Sequence, residues 1–275
     1  MLLTIDCGNT NTVFALYDVD KNKTDIDKVF DSHTLPPLLG LWRSQTNAAR
    51  TADEYLAFFS QHLELKKLDL SAISLAVISS VVPDANFALE RFCTLGLGVR
   101  SVLVGKDILP GDLGLVIKID KPQELGADRI VNALAVNQFY GAGAIVVDFG
   151  TATSFDVIAD DGAFLGGVIA PGINLSLSAL HAAAAKLPKI SIARPPHAIG
   201  TNTVHAMQSG IFYGYIGLVE GLLTRLRLEL NFTPKIIATG GLAPLYAPHI
   251  PLIDQCDEEL TVKGLLSIYQ TLKTM

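Results

Sequence analysis

The chain carries one local plan twice. At its start an apolar run, Leu2 to Ile5, meets Asp6, then Gly8, Asn9, Thr10, Asn11 and Thr12, before Val13 to Tyr17 resumes an apolar strand. In mid-chain the continuously apolar Ala144 to Val147 meets Asp148, Gly150, Thr151, Thr153 and Ser154, before Phe155 to Ile158. Aligning Asp6 on Asp148 sets Gly8 on Gly150 and Thr12 on Ser154. One such turn alone reads as a polar hairpin. Two of them, some 140 residues apart, predict two related domains facing each other across a cleft. A carboxylate, a glycine and several hydroxyls and amides on one bend suit a phosphate and its cation. Glycine lets the backbone approach, and the polar groups then donate to the oxygens.

A third signal is Lys235 to Leu242, a strand ending in Thr239-Gly240-Gly241 and suited to a base or ribose pressed on backbone. Together the three turns resemble the phosphate-1, phosphate-2 and adenosine motifs of the actin, sugar-kinase and Hsp70 superfamily. The resemblance implies an α/β fold, a duplicated actin-like (ribonuclease H-like) architecture of two mixed sheets flanked by helices. The rest of the chain fits an alternating order. Leu41-Trp42-Arg43 reads as an edge strand, and Thr51 to Glu54 has capping-box spacing at a helix start. Ile73 to Val82 is a strand stopped by Pro83, Asp84 to Leu95 a helix, and Val99 to Val104 a strand. The polar run from Lys21 to Gly40, with Pro36 and Pro37, reads as a surface loop or lengthened hairpin. Turn-rich Gly111 to Lys121 is the expected boundary, giving domains 1–115 and 116–275. Beyond it come a helix opening at Asp128, a glycine-punctuated strand from Gly162, a helix from Ile173 through Lys186, a long apolar helix from Thr201 to about Leu230, and a closing helix from Thr261 to Lys273. Gly210, Gly214, Gly217 and Gly221 line one face of the long helix, as expected for close packing against sheet or a partner helix.

Composition sets the class. Nearly half the residues are hydrophobic, 49%, with 17% charged, which is a compact globule and not a disordered chain. A net charge of −6 disfavours nucleic acid and anionic membrane as general partners, so an anionic ligand must be bound by local donors. Three scattered cysteines encode neither a disulfide framework nor a CxxC metal site. Asp6 arrives too early for a signal-peptide core, and Gly210 to Val219 falls short of a span, so a cytoplasmic protein is expected. Gly141-Ala142-Gly143 precedes its strand and lacks the third glycine of a dinucleotide fingerprint; it reads as a helix C-cap. Neither a P-loop nor an H-E-x-x-H or G-x-S-x-G motif occurs. Cys7 has no partnered base and reads as a small strand-end residue.

Asp128, in Gly126-Ala127-Asp128-Arg129, has two readings. It is an ordinary acidic residue at a helix start. It is also one helix upstream of the Asp148 turn, where a carboxylate could orient an acceptor alcohol and take its proton late in phosphoryl transfer. Arg129 beside it could clamp a substrate carboxylate or form a surface salt bridge.

The motifs then become specific. Asp6-x-Gly-Asn-Thr, Ser80 to Pro83, Gly126 to Arg129, Asp148-x-Gly-Thr-Ala-Thr153, Pro171-Gly172, Gly200-x-Asn-Thr203 and Thr239 to Gly241 occur in the order found in type III pantothenate kinases. The chain resembles that family over nearly its whole length. The resemblance implies ATP-dependent phosphorylation of pantothenate at the start of coenzyme A synthesis, a homodimer, and activation by potassium or ammonium. It also implies roles. Asp128 would be the general base. Gly126, Ala127, Asp128, Arg129 and Thr203 would hold pantothenate. Asp6, Gly8, Asn9, Thr10, Asn11, Thr12 and Thr151 would hold ATP, Asp148 the monovalent cation, and magnesium would accompany ATP. Ile119 stands where many members have a substrate-contacting tyrosine, and the run 21–40 is longer than usual. Two alternatives stay open: a kinase of another small alcohol, and a non-catalytic ATP-binding accessory factor. Retention of Asp128, Arg129 and Asp148 together argues against the second.

Overall fold

The computed structural model describes residues 1–19, 35–184 and 187–275. Most of the polar run from Lys21, and the end of the helix expected to reach Lys186, lie outside the described residues. By internal packing the chain forms two compact units, Met1–Gly141 with Leu260–Met275, and Ala142–Glu259.

In the first unit β1 (Leu2–Cys7), β2 (Asn11–Tyr17) and β3 (Leu38–Gln45) form an antiparallel meander. After α1 (Ala52–Lys66) the chain returns as β4 (Leu75–Ser80), parallel to β1, and after α2 (Pro83–Arg91) as β5 (Arg100–Leu103), parallel to β4. The sheet order is β3-β2-β1-β4-β5. The starts and stops follow local chemistry. Thr51 and Glu54 cap α1 reciprocally, and Pro83, which has no N–H to lose, opens α2. The helix expected to run to Leu95 instead changes to one π-turn over Phe92–Gly96. One face of the sheet buries Phe14 against Tyr55, Phe59 and Phe92, all four fully enclosed. Emptying such an aromatic position by an alanine substitution costs about 3–5 kcal/mol. Helix α3 (Ala127–Phe139) completes this part of the unit.

The second unit repeats the wiring. Strands β6 (Ala144–Phe149), β7 (Ala152–Ile158) and β8 (Phe164–Pro171) form the meander, followed by α4 (Ile173–Ala183) and α5 (Thr203–Glu229). Then β9 (Lys235–Thr239) lies parallel to β6, and after α6 (Ala243–Tyr246) the short β10 (Gln255–Cys256) lies parallel to β9. The order β8-β7-β6-β9-β10 matches the first sheet strand for strand. Even the irregularities match, with register shifts at Leu16/Tyr17 and at Val157/Ile158 in the second strand of each meander. The fold class expected from the sequence, two mixed sheets flanked by helices, is therefore present.

The last helix, α7 (Leu260–Thr274), rejoins the first unit. Gly264 allows a close approach to α3, since a Cβ there would lie 2.1 Å from the Val131 carbonyl oxygen. Thr261 Oγ1 donates to Asn132 Oδ1 at 2.9 Å beside it.

Two expectations need correction. The sequence alignment set Thr12 on Ser154, but the ladders pair Cys7 with Thr12 and Phe149 with Thr153. Thr12 therefore corresponds to Thr153, both fully buried, and the first turn is one residue longer. The glycine face of α5 is not packed within the chain: a Cβ at Gly210, Gly214 or Gly217 would meet nothing within 4 Å among the described residues. The buried face instead carries Met207, Ile211, Phe212, Tyr215, Val219 and Leu223.

Candidate active site

In the first unit the polar turn stands at the end of β1, beside the end of β4. The register places Asp6 next to Ser79 and Cys7 next to Ser80. Parallel strands open their C-terminal ends to the same side, so residues leaving β1 and β4 converge there. Ser80 turns the chain after β4, accepting from the Val82 N–H at 3.2 Å and donating to the Val82 carbonyl at 3.3 Å. Val81 packs near Gly126, and Gly126 precedes α3 as its N-cap. A Cβ at Gly126 would lie 2.6 Å from Asp128 Oδ1, so glycine leaves room for the carboxylate to fold back over the helix start. There Asp128 Oδ1 accepts from the Arg129 N–H at 2.8 Å.

Asp128 and Asp6 feel each other. Burial, then the Asp128 carboxylate, push the Asp6 pKa up to about 7, with the Ser79 hydroxyl opposing. Burial also raises Asp128, while the Arg129 N–H and guanidinium hold it down. A neighbouring carboxylate disfavours joint ionisation of the two. Asn9, Thr10 and Asn11 are exposed on the turn, Gly8 is half-buried and Thr12 is buried beneath it. The structure thus brings Asp6 and the Gly126–Arg129 segment together within one unit.

In the second unit the other two predicted turns meet. Asp148 pairs in register with Thr239 on the adjacent parallel strand. Gly240 follows at φ +90°, and a Cβ there would lie 2.5 Å from Asp148 Oδ1 and 2.8 Å from the Phe149 backbone. A Cβ at Gly150 would lie 3.5 Å from the same oxygen. The Asp148 carboxylate is therefore cradled by two glycines. Thr151 is exposed, and its carbonyl oxygen lies against Gly172, where a Cβ would fall 2.0 Å away. This gives Pro171-Gly172 a structural job, close backbone support for the second turn. Tyr215 of α5 adds a clamp, its hydroxyl bonding both Thr153 Oγ1, at 3.1 Å, and the Pro171 carbonyl.

Thr203 is not beside that turn. It opens α5, capped by Asn202 Oδ1 accepting from the His205 N–H at 2.9 Å. Twelve residues separate it from Tyr215, about 18 Å of helix. It lines a cavity of about 670 Å³ with Leu180, Asn202, Met207 and Gly210, walled by the first turns of α5 and the end of α4. Gly200 closes that wall, since a Cβ there would strike the Ala206 amide nitrogen at 2.2 Å. Ile119 is half-buried in a bend before the short turn Pro122–Glu124.

Among the described residues, no group of three or more His, Cys, Asp or Glu side chains forms a ready-made metal cage. Asp6 places a carboxylate at the first turn, the oxygen-donor chemistry a divalent ion takes. The Asp148 carboxylate in its glycine cradle supplies an oxygen donor at the second turn. No helix among the described residues is long and apolar enough to cross a membrane. Sequence reasoning missed Ser79, Thr46 and Tyr215. Ser79 stood one residue before a recognised motif, while Thr46 and Tyr215 act across 38 and 62 residues of chain, beyond any local signal.

A meander, two crossover strands and phosphate-type turns, all duplicated, define the actin-like, sugar-kinase class of fold. Solved structures agree at the level of fold. A protein described as a Baf-family transcriptional activator from Campylobacter jejuni matches with TM-score 0.59 at 19% identity, covering 99% of this chain and 100% of that one. A protein described as a sugar kinase from Cytophaga hutchinsonii matches with TM-score 0.50 at 11% identity, covering 98% and 99%. Sequence narrows the class. The profile of the family described as type III pantothenate kinase matches residues 2–225. Type III pantothenate kinases from Paramagnetospirillum magneticum and Caulobacter vibrioides are 48% and 46% identical, each covering 98% of this chain and 97% of the relative. The chain belongs to the type III pantothenate kinase family.

Proposed function

We infer that this chain transfers the γ-phosphate of ATP to the primary hydroxyl of pantothenate, giving 4'-phosphopantothenate and opening coenzyme A synthesis. The observation that carries the reading is the Asp128 carboxylate, folded back over the start of α3 with its Oδ1 on the Arg129 N–H, next to the turn after β4 that adjoins Asp6 of the first phosphate-type turn. Asp128 orients the acceptor hydroxyl and takes its proton. Its raised pKa makes it a better acceptor than an exposed aspartate, and the Arg129 contacts keep the rise in check. Arg129 takes the pantothenate carboxylate, Gly126 and Ala127 line the acceptor, and Thr203 is a pantothenate contact as the family resemblance implies. The exposed Asn9 to Asn11 segment, with Asp6 and Gly8 and with Thr12 buried beneath it as support, serves the ATP phosphates, as does Thr151 of the second turn. Magnesium, when bound with ATP near Asp6, neutralises charge on the β- and γ-phosphates, and a potassium or ammonium ion at Asp148 adds fixed positive charge.

The enzyme acts as a homodimer in the cytoplasm. Support for the dimer is the outward glycine face of α5, continuous along Gly210, Gly214 and Gly217, with Leu175, Leu180 and Val204 exposed on neighbouring turns. The deciding experiment couples ADP formation to a readout with and without pantothenate, and identifies the product by mass. Pantothenate-dependent ADP release with a product gaining one phosphoryl group supports the reading; ATP binding without pantothenate-dependent turnover overturns it.

A further inference from the structure

Thr46, the residue immediately after β3, engages the first phosphate-type turn through three hydrogen bonds. Its amide donates to the Thr10 carbonyl at 2.9 Å. Its hydroxyl donates to the Gly8 carbonyl at 2.7 Å and lies 2.9 Å from Thr12 Oγ1. A hydroxyl has one proton to give. Since that of Thr46 goes to Gly8, Thr12 must donate to Thr46, and its 3.5 Å contact with Cys7 Sγ is then donated by the thiol; the order runs Thr12 to Thr46 to the Gly8 carbonyl. Thr12 is fully buried, so its hydroxyl faces this relay and not the solvent side of the turn. Within the turn the Gly8 N–H donates to the Asn11 carbonyl at 3.0 Å.

The consequence follows from peptide planarity. In a trans peptide the C=O and N–H point in opposite directions. Holding the Gly8 and Thr10 carbonyls toward Thr46 therefore turns the Asn9 and Asn11 N–H groups away from it. Asn9, Thr10 and Asn11 are the exposed residues of the turn. We propose that Thr46, backed by Thr12, is a positioning residue that presets two backbone amides of the turn as donors for the phosphates of ATP. It never touches the nucleotide. The inference rests on the reading of this turn as an ATP-phosphate turn. In the second unit the matching threonine, Thr153, is instead held by Tyr215, so the relay belongs to the first turn only.

The test compares the wild-type enzyme with Thr46→Val, which keeps the shape and loses the hydroxyl, and Thr46→Ser, which restores it. Readouts are ATP affinity by titration calorimetry in magnesium buffer, KM for ATP and for pantothenate, and the melting temperature. One lost hydrogen bond to the turn weakens ATP binding about 3- to 10-fold in Thr46→Val. The expected pattern is that shift in ATP affinity and KM, an unchanged pantothenate KM, and a Thr46→Ser enzyme within about twofold of wild type. Unchanged ATP affinity in Thr46→Val overturns the inference, and so does a loss that Thr46→Ser fails to restore. So does a pantothenate KM that rises in step with the ATP KM, the signature of a merely structural defect. If Thr46→Val is not recovered folded, Thr46→Ala carries the same comparison. A wild-type enzyme that binds ATP but ignores pantothenate sinks the proposed function instead, while the ATP affinities still decide the role of Thr46.

Discussion

Replacing Gly240 with alanine tests whether the glycine cradle around Asp148 is as tight as the structure has it. Gly240 sits at φ +90°, a region that L residues avoid, and holding a Cβ there costs about 1–3 kcal/mol. The new methyl would also lie 2.5 Å from Asp148 Oδ1 and 2.8 Å from two Phe149 backbone atoms. Those neighbours are main chain and a short carboxylate, which cannot swing aside freely, so overpacking adds a further 1–3 kcal/mol or so. The sum is roughly 2–6 kcal/mol, which at 2–4 °C per kcal/mol lowers Tm by about 4–24 °C. Gly241→Ala is the internal control. It is the next residue, with ordinary φ and nothing within 4 Å of a Cβ, and should stay within about 0.5 kcal/mol of wild type. Thermal melts of both variants, followed by circular dichroism, give the comparison. Displacing Asp148 should also weaken the response to potassium in Gly240→Ala more than in Gly241→Ala. A Gly240→Ala melt within 1–2 °C of wild type, or equal losses in the two variants, refutes the close packing of the third turn on the second.

Four further outcomes are expected. Asp128→Asn should retain nucleotide binding and lower kcat by about 10²- to 10⁴-fold, read from steady-state kinetics; full activity removes Asp128 as the base. The same variant should let the Asp6 pKa fall, because one of the two causes that raise it is gone. For Asp6 itself the folded-state pKa, about 7, lies above the ordinary 3.8, so on raising the pH the unfolded chain releases this proton first. The stability associated with this group is therefore full below 3.8 and lost as pH rises through about 7, and Asp6→Asn should flatten that part of the Tm-versus-pH curve. An unchanged slope between pH 4 and 8 contradicts the raised pKa of Asp6. Exchange of potassium for sodium should depress kcat, measured at saturating ATP and pantothenate; indifference to the exchange contradicts the cation role of Asp148.

What the sequence made legible was whatever rests on backbone conformation and strand chemistry. The duplicated turns were visible because β1 and β6 are buried on both faces and read as unbroken apolar runs ending in Asp-x-Gly. Capping at Thr51 and the stop at Pro83 were visible for similar local reasons. The register between the copies was not, because a one-residue difference in turn length leaves Asp and Gly aligned while shifting everything after them. Burial resolves it: Thr12 and Thr153 are both enclosed, whereas Ser154 is only half-buried. The long-range polar contacts were equally hidden. Thr46 reads as one more polar residue after an edge strand, and Tyr215 as one more aromatic in an apolar helix. Yet these two fix the shapes of the turns, Thr46 from the strand-end side and Tyr215 from a helix. The two copies therefore share their wiring but not their bracing. Duplicated sheets specify where the phosphate-type turns stand; the hydroxyls of Thr46 and Tyr215 specify how each turn is held. It follows that exchanging the two turn sequences between units should fail even though the sheets are equivalent, because each turn would arrive without its own brace.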